Sequence, residues 1–380
     1  KESFTLFPKL RFKEFDGDLT ESKLVELTSW ASGGTPAKDV PEYWGDGIPL
    51  ISGASMHTNQ LYESDVKITK LGLQKGSKLA LKDSILILVR GSMLFNKIPM
   101  GITLGDVAFN QDVKCIRPKQ QLAPLFLFQW LHAKENTIQN KVTATGIGAG
   151  KLDTADLQNL KLYKPSLEEQ TKIATFLSAV DEKISQLTQK HQLLREYKQG
   201  MMQKLFSQQV RFKADDKSEF GEWEEKELKD IAEINPKSKK LPESFIYIDL
   251  ESVEKGQLLL QKNIELQDAP SRAQRLLAKG DVLFQMVRPY QQNNYYFNLS
   301  GEYVASTGYA QIRTKLDSKF IYYALHEKTF LDEVMNRCTG TSYPAINSSD
   351  LSSIEILIPC LEEQTKIANF LSSIDQKIEV

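Results

Sequence analysis

Apolar positions fall into two rhythms along this 380-residue chain. Between residues 167 and 206 they recur at Ile173, Leu177, Val180, Ile184, Leu187, Leu194, Met201 and Leu205, alternating steps of four and three, with His191 and Lys198 as polar interruptions. That is a heptad seam, and with no Pro and only Gly200 inside it the stretch predicts one helix of about 40 residues, roughly 60 Å long. Pro165 and Ser166 sit where a helix starts. Elsewhere the runs are short and strand-like: Ile48–Ile51, Ile85–Val89 and Val113–Ile116, then Phe245–Ile248, Val282–Val287 and Ala310–Ile312. Helical stretches follow at 124–140 and 320–336, and closing strands at 160–163 and 354–358. Glu21–Trp30 and Trp223–Ile234 read as helical or turn segments that open each half.

The order of elements therefore repeats, and so does the sequence. Pro165-Ser-Leu-Glu-Glu-Gln-Thr-Lys-Ile-Ala-Thr-Phe-Leu-Ser-Ala-Val-Asp-Glu-Lys-Ile184 returns as Pro359-Cys-Leu-Glu-Glu-Gln-Thr-Lys-Ile-Ala-Asn-Phe-Leu-Ser-Ser-Ile-Asp-Gln-Lys-Ile378, with 15 of 20 positions identical. Arg11-Phe12-Lys13 returns as Arg211-Phe212-Lys213, Asp83–Arg90 as Asp281–Arg288, and Thr145-Gly146 as Thr339-Gly340. The expected architecture is α+β. A first domain (1–164) leads into a helical spacer (165–209), and a second, similar domain (210–358) leads into the start of a second helix (359–380), which looks short beside the first. A free helix with one apolar stripe needs a partner. The second copy offers Ile367, Leu371, Ile374 and Ile378, so an antiparallel pair is expected between them and Ile173, Leu177, Val180, Ile184 and Leu187. Phe176 and Phe370 lie off the seam and widen it. The domains have diverged while the connecting segments have not.

Charge and composition narrow the function. The 48 Lys+Arg and 49 Asp+Glu give −1, with 41% hydrophobic residues, which excludes a disordered chain and a histone-like one. Split by segment, 1–164 carries +4, 165–209 +1, 210–358 −4 and 359–380 −2. Neither domain can hold a polyanion by bulk charge, so any nucleic-acid contact must come from local arrangement. No apolar run approaches a membrane span and Lys1-Glu2-Ser3-Phe4 shows no signal-peptide pattern, which together read as cytoplasmic. The three cysteines form no CxxC pair and the four histidines are scattered, which argues against a disulfide scaffold and a zinc site.

Catalytic motifs are missing. No Asn/Asp-Pro-Pro-aromatic run marks an amino-methyltransferase centre. Thr145-Gly-Ile-Gly-Ala-Gly-Lys151 looks like a phosphate loop but lacks the leading Gly and the following Ser/Thr. The loops instead suit reading bases. Arg288, Tyr290, Gln291, Gln292, Asn293 and Asn294 follow a strand, and Arg pairs bidentately with guanine, Gln and Asn with adenine. The matching place in the first half holds Arg90, Ser92, Asn96 and Lys97. Gly33-Gly34-Thr35, the Thr145 loop with Lys151, and Thr339, Thr341 and Ser342 are candidates for backbone contact with phosphates. The alternative, that Tyr295 and Tyr296 are core and the amides a solvated turn, stands equally on the sequence.

Together these features resemble the DNA-specificity subunit of type I restriction–modification enzymes. The resemblance rests on Pro-Lys-Leu-Arg-Phe-Lys-Glu-Phe (8–15), Ser-Gly-Gly-Thr-Pro…Tyr-Trp-Gly-Asp-Gly-Ile-Pro (32–49) and the twofold Pro-x-Leu-Glu-Glu-Gln-x-Lys-Ile-Ala-x-Phe-Leu, and covers essentially the whole chain. The second half departs from it, with Asn235-Pro-Lys-Ser-Lys in place of Gly-Gly-Thr-Pro. The resemblance implies two target-recognition domains reading the halves of a bipartite, asymmetric site in double-stranded DNA. It implies two methyltransferase subunits and restriction/translocase subunits as partners. S-adenosylmethionine and ATP with Mg would be bound by those partners, and no cofactor, metal or catalytic residue would belong to this chain. Two other classes remain open: a scaffold that joins proteins without reading DNA, and a fragment of a fused restriction–methylation enzyme.

Overall fold

The computed structural model describes residues 10–146, 148–238 and 240–379; the amino-terminal reading at Lys1–Phe4 and the first residues of the 8–15 motif lie outside them. The chain divides into two compact units, 1–186 and 187–380, each with its own core. The division falls inside a single helix, Leu167–Phe206, the 40-residue element that the heptad seam predicts. The spacer is thus not a separate body, because each half of it belongs to one unit.

In the first unit a five-stranded sheet runs in the order Thr28–Ser32, Val113–Pro118, Ile85–Leu88, Met100–Thr103, Gln60–Leu61. Ile85–Leu88 is buried on both faces, which explains why it reads as a continuous apolar run rather than an alternating one. A second sheet has the order Lys67–Ile68, Trp44–Ile51, Val107–Phe109, Lys78–Ala80, with one parallel pair between Trp44–Ile51 and Val107–Phe109.

The second unit repeats both. Ala232–Ile234, Tyr309–Thr314, Val282–Gln285 and Tyr295–Tyr296 form one sheet. Lys262–Glu265, Ser244–Ile248, Tyr303–Ser306 and Ala273–Leu276 form the other, with its parallel pair in the same place. The expected α+β repeat is what the chain adopts. Two local readings change. Glu21–Trp30 and its counterpart are each a strand, one helical turn and a second strand (Thr20–Lys23, Leu24–Leu27, Thr28–Ser32), and each predicted helical stretch after the third strand breaks into two helices.

The repeated connecting sequence is explained by one joint, built twice. Just before the long helix, Lys161–Lys164 pairs with Thr20–Lys23, and Glu355–Ile358 pairs with Glu224–Glu227. In the helix's first turns Glu169, only 2% exposed, accepts two hydrogen bonds from Arg11 at 2.7 Å. Glu363, fully buried, accepts two from Arg211 at 3.0 and 2.7 Å and a third from the Trp223 indole. Gln170 donates to the Pro165 carbonyl and accepts from the Ala123 N–H; Gln364 donates to the Pro359 carbonyl and accepts from the Asp317 N–H. Arg-Phe-Lys and Leu-Glu-Glu-Gln therefore recur together because they touch. Phe12 meets Phe176 and Phe212 meets Phe370 edge-on across the same joint, at 5.9 and 5.7 Å.

The helix pairing differs from expectation. In the second unit Leu361–Glu379 packs against the later part of the long helix. Lys198 bonds Asp375 at 2.5 Å, while Phe206, eight residues on, meets Trp223, which bonds Glu363 near the start of the last helix. The two helices are therefore antiparallel. Ile367, Leu371 and Ile374 are buried with Leu205, flanked by Phe370, Ile378, Met201 and Met202. The partner of the last helix is thus residues around 195–206 and not 173–187. Lys198 stands opposite Asp375, and the four helical residues after Asp375 reach back only to about Leu194. Ile173 packs half-buried against the first unit's core and Leu177 is half-buried, whereas Phe176, Val180, Ile184 and Leu187 are 55%, 40%, 57% and 50% exposed.

Candidate nucleic-acid interface

In both units the candidate side chains gather where the third core strand leaves its sheet. In the first unit Val89 donates its N–H to the Asp112 carbonyl and accepts from Leu152 N–H, and Arg90–Gly91 then joins a small three-stranded sheet with Gly150–Lys151 and Thr143–Ala144. The register sets Arg90 directly opposite Lys151 and Gly91 opposite Gly150. Both cations are exposed, and among the described residues neither has an ion-pair partner. Like charges directly opposite on an antiparallel pair are destabilising, so the fold holds a local positive patch at a cost. Glycine makes the arrangement possible. Gly91 adopts φ +148°, and a Cβ on Gly150 would stand 2.9 Å from Leu94 Cβ and 3.0 Å from the Gly91 carbonyl oxygen. Ser92, Asn96 and Lys97 are exposed on and after the adjoining 3₁₀ turn.

Thr143–Ala144 pairs antiparallel with Gly150–Lys151, and Thr145 N–H is bonded to the Ala149 carbonyl. A phosphate loop needs a strand leading into a helix, so that likeness ends there. Gly33 and Gly34 also change role. Cβ atoms there would lie 2.1 Å from the Phe109 carbonyl oxygen and 2.4 Å from that of Gly76, and the Gly34 N–H is already bonded to Phe109. These glycines let the chain pass close to the strand end at Phe109 and to the end of the helix Lys70–Gly76, and do not form an open phosphate cradle. Thr35 donates to Gln111, an exposed side chain that sequence reasoning missed. Its neighbour Asp112 holds Val89, so Thr35, Gln111, Arg90 and Lys151 form one connected rim.

In the second unit the Thr339 loop folds against the strand exit through bridges from Ala345 to both Val287 and Thr339, and Arg288 donates its N–H to the Pro344 carbonyl at 2.7 Å. Asn235, at φ +52°, closes the neighbouring strand by exchanging bonds with Gln311 and donating to Ser348, the work given to packed glycines in the first unit. The amide run proves to be largely scaffold. Asn294 is 1% exposed, its Oδ1 accepts from Gln285 N–H, and its amide meets His326. Asn293 accepts from Lys255 N–H, Gln291 from buried Gln285, and Gln292 reaches the His326 carbonyl. The expectation that Gln291, Gln292, Asn293 and Asn294 together present base-reading edges is corrected accordingly, because they bond the loop's own backbone and neighbours. Tyr295 is core and Tyr296 packs on Tyr322. His326 is held neutral, its pKa lowered to about 4 mainly by desolvation. Tyr290, Gln291, Thr339, Thr341, Ser342 and Tyr343 are exposed, with Arg288 half-buried beside them.

In each unit this rim lies at the sheet end opposite the helix joint. Thr28 and Pro118 adjoin the joint, while Ser32 and Val113 adjoin the rim. Among the described residues no group of His, Cys, Asp or Glu could hold a metal ion, and no helix is long and apolar enough to cross a membrane.

Residues 17–195 and again 221–380 match the type I restriction modification DNA specificity domain, and the chain belongs to that family. It is 27% identical to the type I restriction enzyme MjaVIII specificity subunit of Methanocaldococcus jannaschii, over 97% of this chain and 90% of that one. It is 29% identical to the EcoR124I/EcoR124II specificity subunit of Escherichia coli over 47% of this chain and 45% of that one. The crystal structure of a type I restriction–modification S subunit from M. genitalium shares the fold, with a TM-score of 0.63 at 17% identity over 98% of this chain and 93% of that one.

Proposed function

We propose that this chain is the non-catalytic DNA-reading subunit of a type I restriction–modification complex in the cytoplasm, each unit reading one half of a bipartite site. The observation that carries the reading is the shared polarity of the two units. Each pins its helix at one end of a sheet through the same Arg–Glu–Gln joint, and presents an arginine, exposed in the first unit and half-buried in the second, beside a Thr-Gly loop at the other. Side chains at the joint are the same in both units, while those at the rim differ, as a constant mount with a variable reader requires. The arginines and neighbouring hydroxyls supply base-edge and phosphate contacts. Exposed Phe176, Val180 and Ile184 offer apolar surface to a docking methyltransferase subunit. Methyl transfer with S-adenosylmethionine, and ATP-driven translocation and cleavage, belong to the partners. Replacing 210–358 with the segment of a relative, and mapping N6-methyladenine in a host carrying the operon, tests this. One half-site should change and the other persist; change in both, within a folded complex, refutes independent reading.

A further inference from the structure

Arg288 differs from Arg211 and Arg313 of its unit in what its guanidinium meets. Arg211 and Arg313 each grip a buried carboxylate at 2.7 Å, which occupies the edge of the guanidinium. Arg288 has no carboxylate partner among the described residues. Its guanidinium carbon instead lies 4.3 Å from the centroid of the Tyr343 ring. Stacking engages the flat face of the guanidinium and leaves its N–H edge open, the edge that makes two parallel bonds to guanine O6 and N7.

The backbone around it is fixed to the same end. Arg288 sits at φ +53°, ψ +53°, a left-handed conformation that a non-glycine residue adopts at a cost of order 1 kcal/mol. Its N–H bond to Pro344 and the Val287–Ala345 bridge lock it to the segment that carries Tyr343. Tyr343 is 64% exposed and has no part in any of the three core clusters of its unit, so its packing does not account for its position. We infer that Tyr343 is a positioning residue for Arg288, and that the pair forms a preset reader for one guanine in the half-site of the second unit. Among the described residues Arg90 of the first unit stacks on no ring, and it stands opposite Lys151.

This inference rests on the proposed DNA-reading role and deepens it. The test compares Arg288→Ala, Tyr343→Ala, Tyr343→Phe and the double alanine variant in the assembled complex with its methyltransferase partner. Each is selected against duplexes randomised across the site and sequenced. Arg288→Ala should relax one G·C position by roughly 10- to 100-fold. Tyr343→Ala should relax the same position by about 2- to 5-fold, as loss of an exposed cation–π contact predicts. Tyr343→Phe should keep discrimination, because the ring and not the hydroxyl carries the stack, and the double variant should match Arg288→Ala. If Arg288→Ala relaxes a position that Tyr343→Ala leaves untouched, or if Tyr343→Ala weakens all sequences uniformly, the positioning role is overturned while DNA reading survives. If Arg288→Ala lowers binding uniformly, Arg288 holds a phosphate and the guanine assignment falls. If neither variant alters binding or selectivity, while exchange of residues 210–358 also leaves the site unchanged, the DNA-reading proposal itself fails.

Discussion

Substituting Lys151 by Gln should move stability and DNA binding in opposite directions. In the free protein Lys151 stands directly opposite Arg90 with both side chains exposed. Removing one of two like charges at such a position relieves about 0.2–1 kcal/mol, so the melting temperature should hold or rise slightly. If Lys151 meets a phosphate, the same change removes one counterion-release contact. The slope of log K against log salt then becomes shallower by about 0.9, which over a fourfold rise in salt amounts to roughly a 3.5-fold difference in affinity. Thermal melting of the chain and salt-titrated binding of the assembled complex to its cognate duplex measure both. An unchanged slope together with unchanged melting would refute the phosphate contact. A fall in melting temperature would show that the Arg90–Lys151 register supports the strand pairing, contrary to the charge argument. Selectivity among sequences should stay as it was, because a phosphate contact positions the protein without specifying bases.

At the helix joint, Arg211→Met leaves the buried Glu363 carboxylate with only the Trp223 N–H as a side-chain partner. It should destabilise by about 3 kcal/mol, the lower part of the range for buried pairs because Arg211 keeps 26% of its side-chain surface exposed. Arg211→Met with Glu363→Leu should recover most of that loss in urea unfolding, and a single-variant cost below 1 kcal/mol would show the pair to be incidental. His326 gives the second unit an acid-side weakness. Its folded pKa of about 4 lies below the ordinary value near 6.5, so its contribution to stability is complete above pH 6.5 and is lost as pH falls toward 4. The loss should reach about 2–3 kcal/mol and be absent in His326→Gln, as read from unfolding midpoints between pH 7 and 4.

The long helix and the repeat were legible because their signals extend over many residues. A heptad of 40 residues and 15 matches in 20 leave little room for another reading. The joint was half-legible: Arg11-Phe12-Lys13 and Leu167-Glu168-Glu169-Gln170 both repeat, but only coordinates show that one segment binds the other. The helix partner was not legible, since residues 173–187 and 194–205 carry the same seam. What decides between them is the depth at which pairing starts, fixed by the contacts of Phe206, Trp223 and Glu363. The amide run misled for a related reason. Asn and Gln bond a loop's own backbone as readily as a base edge, and their partner beneath, Gln285, lies inside an apolar-looking strand.

The placement of joint and rim at opposite ends of each sheet also explains how one chain can keep part of its sequence while the rest drifts. Five or six residues of strand separate the two ends, about 17–20 Å, and the neighbouring central strand Ile85–Leu88 is buried throughout. The joint is held by buried charge-assisted bonds and by side-chain bonds to the carbonyls of Pro165 and Pro359, so a change in either partner leaves a buried polar group unpaired. The rim is held by backbone bonds: Leu152 to Val89, Arg288 to Pro344, Thr339 to Ala345. Backbone bonds tolerate any side chain compatible with the local φ and ψ. Substitution at positions such as 90, 92, 96, 290 and 341 therefore alters what the rim presents without loosening what holds it. The glycines at 91 and 150, the left-handed Asn235 and Arg288, and the buried Gln285 and Asn294 are the exceptions, because they shape the rim itself. Variation in a reader of this design is expected to spare those and to concentrate on the exposed positions between them.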